Sequence, residues 1–202
     1  MRRFLALGDS YTIGEGVAPA ESWPSQLVAS LTASGIEIGE PEIIARTGWT
    51  TDELQAGIKA AAPAGPCELV SLLIGVNNQY RGRLLGEYRA QFVKLLETAI
   101  RLAGKPKRVL VLSIPDWSVT PFAEGRDRGA IAAQIDRFNE VNRRETAERW
   151  ARYLDVTTVS RKYGHLPEFL AADGLHPSRR MYAEWARLAE PEALRALGIA
   201  TG

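Results

Sequence analysis

The chain has 202 residues, 46% of them apolar and 24% charged, with a formal net charge of +1. That size and balance suit one soluble folded domain, residues 1–202, with a substantial core, and they exclude wholesale disorder and collagen-like repeats. Lys and Arg are dispersed rather than massed, so charge gives no reason to expect a nucleic-acid partner, and the lone Cys67 rules out an intrachain disulfide and reads as a small buried side chain.

At the start, two arginines precede only about four apolar residues before Gly8, too few for the apolar region of a secretion signal. No apolar run approaches the roughly 18 residues that span a bilayer, so a cytoplasmic protein is the expectation. Residues 4–7 form the first short apolar run and predict a buried strand. Directly after it comes Gly8-Asp9-Ser10-Tyr11, with Gly14 and Gly16 beyond. Ser10 therefore stands at a strand-to-helix turn where the chain can bend tightly and where backbone N–H groups face any developing negative charge. It is the candidate nucleophile.

Residues 23–33 place Leu27, Val28 and Leu31 on one helical face, and residues 42–45 read as the second strand. The turn that follows, Arg46-Thr47-Gly48-Trp49, offers the backbone N–H of Gly48 as an oxyanion donor. A helix over 50–62 opens with Thr50 three residues before Glu53, the spacing of a capping box. The third strand, 69–74, leads to Gly75-Val76-Asn77-Asn78, where the Asn77 amide is a second donor. Tyr80 and Arg81, just beyond, are candidates to border the substrate. The stripe Tyr88, Phe92, Leu95, Leu96, Ala99 marks a helix with an ordinary core face.

The fourth strand, 109–114, runs into a loop carrying Trp117 and Phe122, apolar residues expected to wall an acyl pocket. A helical stripe at Ile131, Ile135 and Phe138 precedes a weaker fifth strand at 153–156. Near the end, Asp173-Gly174-Leu175-His176-Pro177 sets a carboxylate three residues before an imidazole, with Pro177 and Ser178 opening a last helix through Met181, Trp185 and Leu188. A serine hydroxyl needs a base to take its proton, and a carboxylate fixes the tautomer of that base and stabilises the imidazolium. His176 with Asp173 meets this need. His165, the other histidine, has no carboxylate three residues before it and ranks second.

Strands alternating with helices, with no repeat and no flexible linker, predict an α/β/α sandwich in which functional residues lie just beyond the strands. Ser10, Gly48, Asn77 and His176 appear in that order and in those places, and together they resemble the SGNH or GDSL hydrolases, named for four such blocks. The resemblance spans residues 8 to 177. It implies a flavodoxin-like fold, three-layered with a mostly parallel five-stranded sheet; a nucleophile at Ser10; His176 as base, oriented by Asp173; and an oxyanion hole made of the Ser10 and Gly48 N–H groups and the Asn77 side chain. It also implies an esterase that needs no metal and no organic cofactor. Two departures stand out: Tyr11 replaces the family's Leu, and Asn78 stands where Asp usually follows the block Asn.

The Gly-x-Ser-x-Gly elbow, the dinucleotide fingerprint, the phosphate-binding loop and zinc spacings are all absent from the sequence. No apolar segment suits a lid on a lipid surface, so the expected substrate is a small soluble carboxylic ester, cleaved through an acyl-enzyme. A thioester, an acetylated sugar, or a non-catalytic α/β binding domain are the competing expectations. Oligomeric state is left open by the sequence.

Overall fold

The computed structural model describes residues 1–199; residues 200–202 of the expected domain lie outside the described residues. Five strands form one sheet: β1 (Phe4–Gly8), β2 (Glu42–Ala45), β3 (Leu69–Leu73), β4 (Val109–Leu112) and β5 (Arg152–Leu154). Their order is β2-β1-β3-β4-β5, and every neighbouring pair is parallel. All five residues of β1 and of β3 are buried, which is why both are largely apolar rather than alternating, with Ser71 of β3 the exception. At the sheet edge, β2 keeps Glu42 and Ile43 exposed.

Helices cover both faces. Helix α2 (Trp23–Ala33) and the last helix, α8 (Arg179–Ala196), pack on each other, while α3 (Thr51–Ala61), α5 (Leu85–Ala103) and α6 (Arg128–Glu148) form the opposite layer. The predicted stripes are the buried faces: Leu27, Val28 and Leu31 on α2; Tyr88, Phe92, Leu95, Leu96 and Ala99 on α5; Met181 and Trp185 on α8, where Leu188 is only half-buried. Each of the larger buried side chains contributes about 1.5–3 kcal/mol when withdrawn from water. Cys67 is buried, as its sequence context suggests. At the start of α3 the carboxylate of Glu53 accepts the Thr50 N–H at 2.8 Å, so the capping spacing does close a helix end.

The fifth strand departs from the sequence expectation of 153–156. It ends at Leu154 because the Asp155 side chain accepts the Thr158 N–H at 3.1 Å and starts α7 (Val156–Tyr163), a short helix that the pattern does not announce. Strands β3 and β4 also stop short of Ile74 and Ile114, which remain buried outside the ladder. Helix α8 begins at Arg179, with Ser178 as its cap, so Pro177 precedes the helix instead of occupying its first turn.

The register fixes where the connections emerge. Gly8 pairs with Ala45 on one side and Leu73 on the other, so β1, β2 and β3 end at one level. The residues that follow these three strands are Asp9 and Ser10, Arg46 to Gly48, and Ile74 to Asn77. They therefore share one edge of the sheet.

Candidate active site

At the end of β1 a Cβ on residue 8 would lie 2.1 Å from the Thr12 hydroxyl and 2.5 Å from the Leu73 carbonyl, so only glycine allows the chain to turn there. Asp9 is extended, and its Oδ1 accepts the Tyr11 N–H at 3.1 Å, capping the short helix α1 (Ser10–Ile13). Ser10 is thereby held as the first residue of α1, beyond the sheet and mostly buried. Burial pushes the Asp9 carboxyl up to about 7 despite the Tyr11 hydrogen bond, and its Oδ2 has no partner among the described residues.

The other end of the chain supplies the imidazole. Asp173 Oδ1 accepts the N–H groups of Leu175 and His176, both at 2.9 Å, and this tight turn brings Oδ2 to 2.6 Å from His176 Nδ1. The His176 Nε2 then lies 3.0 Å from Ser10 Oγ. Residues 166 positions apart thus form an unbroken chain from carboxylate to imidazole to hydroxyl. The imidazole rests against Tyr11, ring centroids 5.4 Å apart. Burial raises the Asp173 carboxyl, but the bonds from the His176 ring and from the Leu175 and His176 N–H groups outweigh it and hold the group below the usual carboxylate range. His165 is exposed and does not line the cleft that holds Ser10.

The second and third blocks also converge. Gly48 has φ +83, a conformation that L side chains rarely adopt, and this turns the loop after β2 toward Ser10. Among the described residues, neither the Ser10 nor the Gly48 N–H is engaged by a protein acceptor outside regular structure. Asn77, in helix α4 (Val76–Tyr80), gives one amide N–H to the Trp49 carbonyl at 3.0 Å, which leaves its second N–H for another acceptor. Asn78 is buried: its Oδ1 accepts the Thr51 N–H at 3.1 Å and its Nδ2 donates to Thr51 Oγ1 at 2.8 Å. The amide that replaces the usual Asp therefore binds the start of α3 through both its atoms.

Arg81 has a different role from the one its position suggests. It does not line the cleft; its Nη2 donates to the Gly48 carbonyl at 2.6 Å, and its Nη1 lies 3.4 Å from Glu53. The cause is geometric: α4 ends at Tyr80, and the next side chain is directed along the loop after β2. Tyr80, Trp117 and Phe122 do line the cleft, together with Ser10, Gly48, Asn77 and His176. The cleft encloses about 580 Å³, its open mouth included. Sequence reasoning missed Tyr11, Thr47, Val76 and Leu175 as lining residues. Their adjacency to the four blocks was the available signal. Thr47 also donates its hydroxyl to the Glu15 carboxylate at the cleft edge.

Residues 6–184 match the GDSL-like Lipase/Acylhydrolase family. The chain belongs to that family. It is a serine hydrolase of the GDSL esterase and acylhydrolase group, with the α/β fold that its four blocks imply. No curated protein matches it. Among solved structures it is similar to TesA (21% identity, TM-score 0.75, covering 97% of this chain and 99% of that one). A lipase/acylhydrolase from Enterococcus faecalis is likewise similar (23% identity, TM-score 0.73, all of both chains), as is Axe2, an acetylxylan esterase from Geobacillus stearothermophilus (20% identity, TM-score 0.70, 98% and 95%). Among the described residues of this GDSL-family chain, no helix is long and apolar enough to cross a membrane, and no group of three or more His, Cys, Asp or Glu side chains is placed to hold a metal ion.

Proposed function

We propose that the protein hydrolyses small soluble carboxylic esters through an acyl-enzyme on Ser10. The observation that carries this reading is the continuous chain Asp173–His176–Ser10, with separations of 2.6 and 3.0 Å, opening into a cleft walled by Tyr80, Trp117 and Phe122. Ser10 Oγ attacks the ester carbonyl while His176 Nε2 takes the hydroxyl proton, and Asp173, kept ionised by its hydrogen bonds, stabilises the imidazolium. The carbonyl oxygen becomes an oxyanion facing the N–H groups of Ser10 and Gly48 and the free N–H of Asn77. His176 then protonates the departing alcohol, and water repeats the sequence to release the acid.

The same apparatus would act on a thioester or on a sugar acetate. Substrate choice is read from the walls of the cleft, and the short apolar enclosure favours small acyl groups. The decisive experiment is incubation with a fluorophosphonate and location of the adduct by mass spectrometry, alongside hydrolysis of p-nitrophenyl acetate. The expected result is a single adduct on Ser10 and a loss of kcat of about 10⁴-fold or more in Ser10→Ala. An unlabelled Ser10 with hydrolysis no faster than the Ser10→Ala control would identify a binding domain without turnover instead.

A further inference from the structure

A guanidinium occupies the centre of the aromatic wall. The Cζ of Arg126 lies 5.2 Å from the Tyr80 ring centroid, 5.4 Å from that of Trp117 and 5.2 Å from that of Phe122. Its Nη2 also donates to the Tyr80 hydroxyl at 3.2 Å. The three rings contact one another as well, with centroids 5.6, 5.9 and 6.3 Å apart. A cation almost equidistant from three rings draws them together electrostatically, and it adds contact area through its planar face. Arg126 takes part in no ion pair among the described residues, so the rings and the Tyr80 hydroxyl are its partners.

The rings differ in what else holds them. Trp117 is buried, and its Nε1 donates to Gln79 Oε1 at 2.9 Å. Tyr80 and Phe122 are 46% and 38% exposed and belong to separate elements, the end of α4 and the turn Pro121–Ala123. Protein packing covers only part of each, and the guanidinium supplies contacts that neither ring obtains from the core. The backbone beside Phe122 is fixed, because its N–H donates to the Gly174 carbonyl at 3.2 Å. What Arg126 settles is the orientation of the two exposed rings over Trp117.

We propose that Arg126 is the residue that sets the acyl-chain limit: it staples Tyr80 and Phe122 over Trp117 and so shortens the cleft. The inference rests on the reading of Ser10 as nucleophile. Arg126 touches neither Ser10 nor His176 and acts through the rings, as a positioning residue. Without it the rings are free to part, and longer acyl chains are admitted.

The test compares the full-length protein with Arg126→Ala and Arg126→Lys on p-nitrophenyl esters from acetate to decanoate, with melting curves to show that the exposed substitutions leave the fold intact. In Arg126→Ala the ratio of kcat/KM for octanoate to that for acetate is expected to rise about fivefold, the scale of one exposed cation–π contact, with the change in KM rather than kcat. Arg126→Lys keeps the charge without the planar fork and is expected to fall between wild type and Ala. Superimposable chain-length profiles would overturn the inference, as would equal slowing on every ester. A third overturning result is a specific loss, in Arg126→Ala, of activity toward acyl groups ending in a carboxylate, which would make the guanidinium a ligand for substrate charge. Fluorophosphonate labelling of wild-type Ser10 reports separately on the catalytic reading: a labelled, active wild type with unchanged Arg126 variants defeats only the staple.

Discussion

The two walls of the cleft are built by different means. The inner one, made of Ser10, Gly48 and Asn77, is fixed by backbone and amide hydrogen bonds: Asp9 caps the start of α1, Arg81 holds the Gly48 carbonyl, Asn77 holds Trp49, and Asn78 holds the start of α3. The outer one, made of Tyr80, Trp117 and Phe122, is held mainly by ring contacts and a guanidinium, with Trp117 alone anchored by its indole N–H to Gln79. Hydrogen bonds fix direction to a fraction of an ångström, whereas ring packing fixes volume and yields more readily. A site that must aim donors at one oxygen needs the first kind of wall, and a site that must accept a range of acyl shapes can be bounded by the second.

That contrast predicts separable kinetic effects. Asn77→Ala removes the proposed oxyanion donor from the inner wall, and kcat on p-nitrophenyl acetate should fall about 10²- to 10³-fold with KM little altered. A loss confined to KM would erase the distinction between the walls. Phe122→Ala opens the outer wall: KM for short esters should rise about fivefold while kcat changes much less, as expected for an interaction made equally with substrate and transition state. A collapse of kcat in this variant would show that the rings help to position the reacting groups.

The smallest expected effect concerns the support beneath the inner wall. The Asp9 carboxyl is raised from its ordinary 3.8 to about 7, so the folded protein keeps a proton that the unfolded chain releases. The folded state binds more protons between these two values, and stability should therefore fall as pH rises from about 4 to about 7 and level off above. Asp9→Asn keeps an oxygen to cap Tyr11 and removes this dependence. Its stability relative to wild type should improve on going from pH 5 to pH 8, and the fixed cost of the new amide's own donors cancels in that difference. Chemical denaturation at both pH values measures the difference, and a constant offset would mean that Asp9 stays ionised throughout.

Much of this arrangement was legible in the sequence, and for a physical reason. A parallel sheet puts the residues after each strand at one edge, so Ser10, Gly48 and Asn77 could be placed together once their strands were recognised. The spacing of Asp173 and His176 is local, and a tight turn converts it directly into a hydrogen bond. The fifth strand was misjudged at Asp155, because a cap competes there with a run of strand-forming residues. Arg81 and Arg126 were illegible in a different sense. Both are long side chains on loops, and what they touch depends on direction, which no periodicity encodes: one reaches back to Gly48, and the other folds over rings drawn from three separate elements.

The hydrogen bond from the Phe122 N–H to the Gly174 carbonyl joins the loop after β4 to the turn that carries Asp173 and His176. For protein engineering this makes the two loops one module. A redesign that lengthens or grafts the segment around Phe122 to admit a bulkier acid also tugs on the turn that aims the imidazole. Libraries that vary residues 121–126 together with residues 171, 172 and 175, with Asp173 and Gly174 kept, should then yield more active clones than libraries that vary the first segment alone.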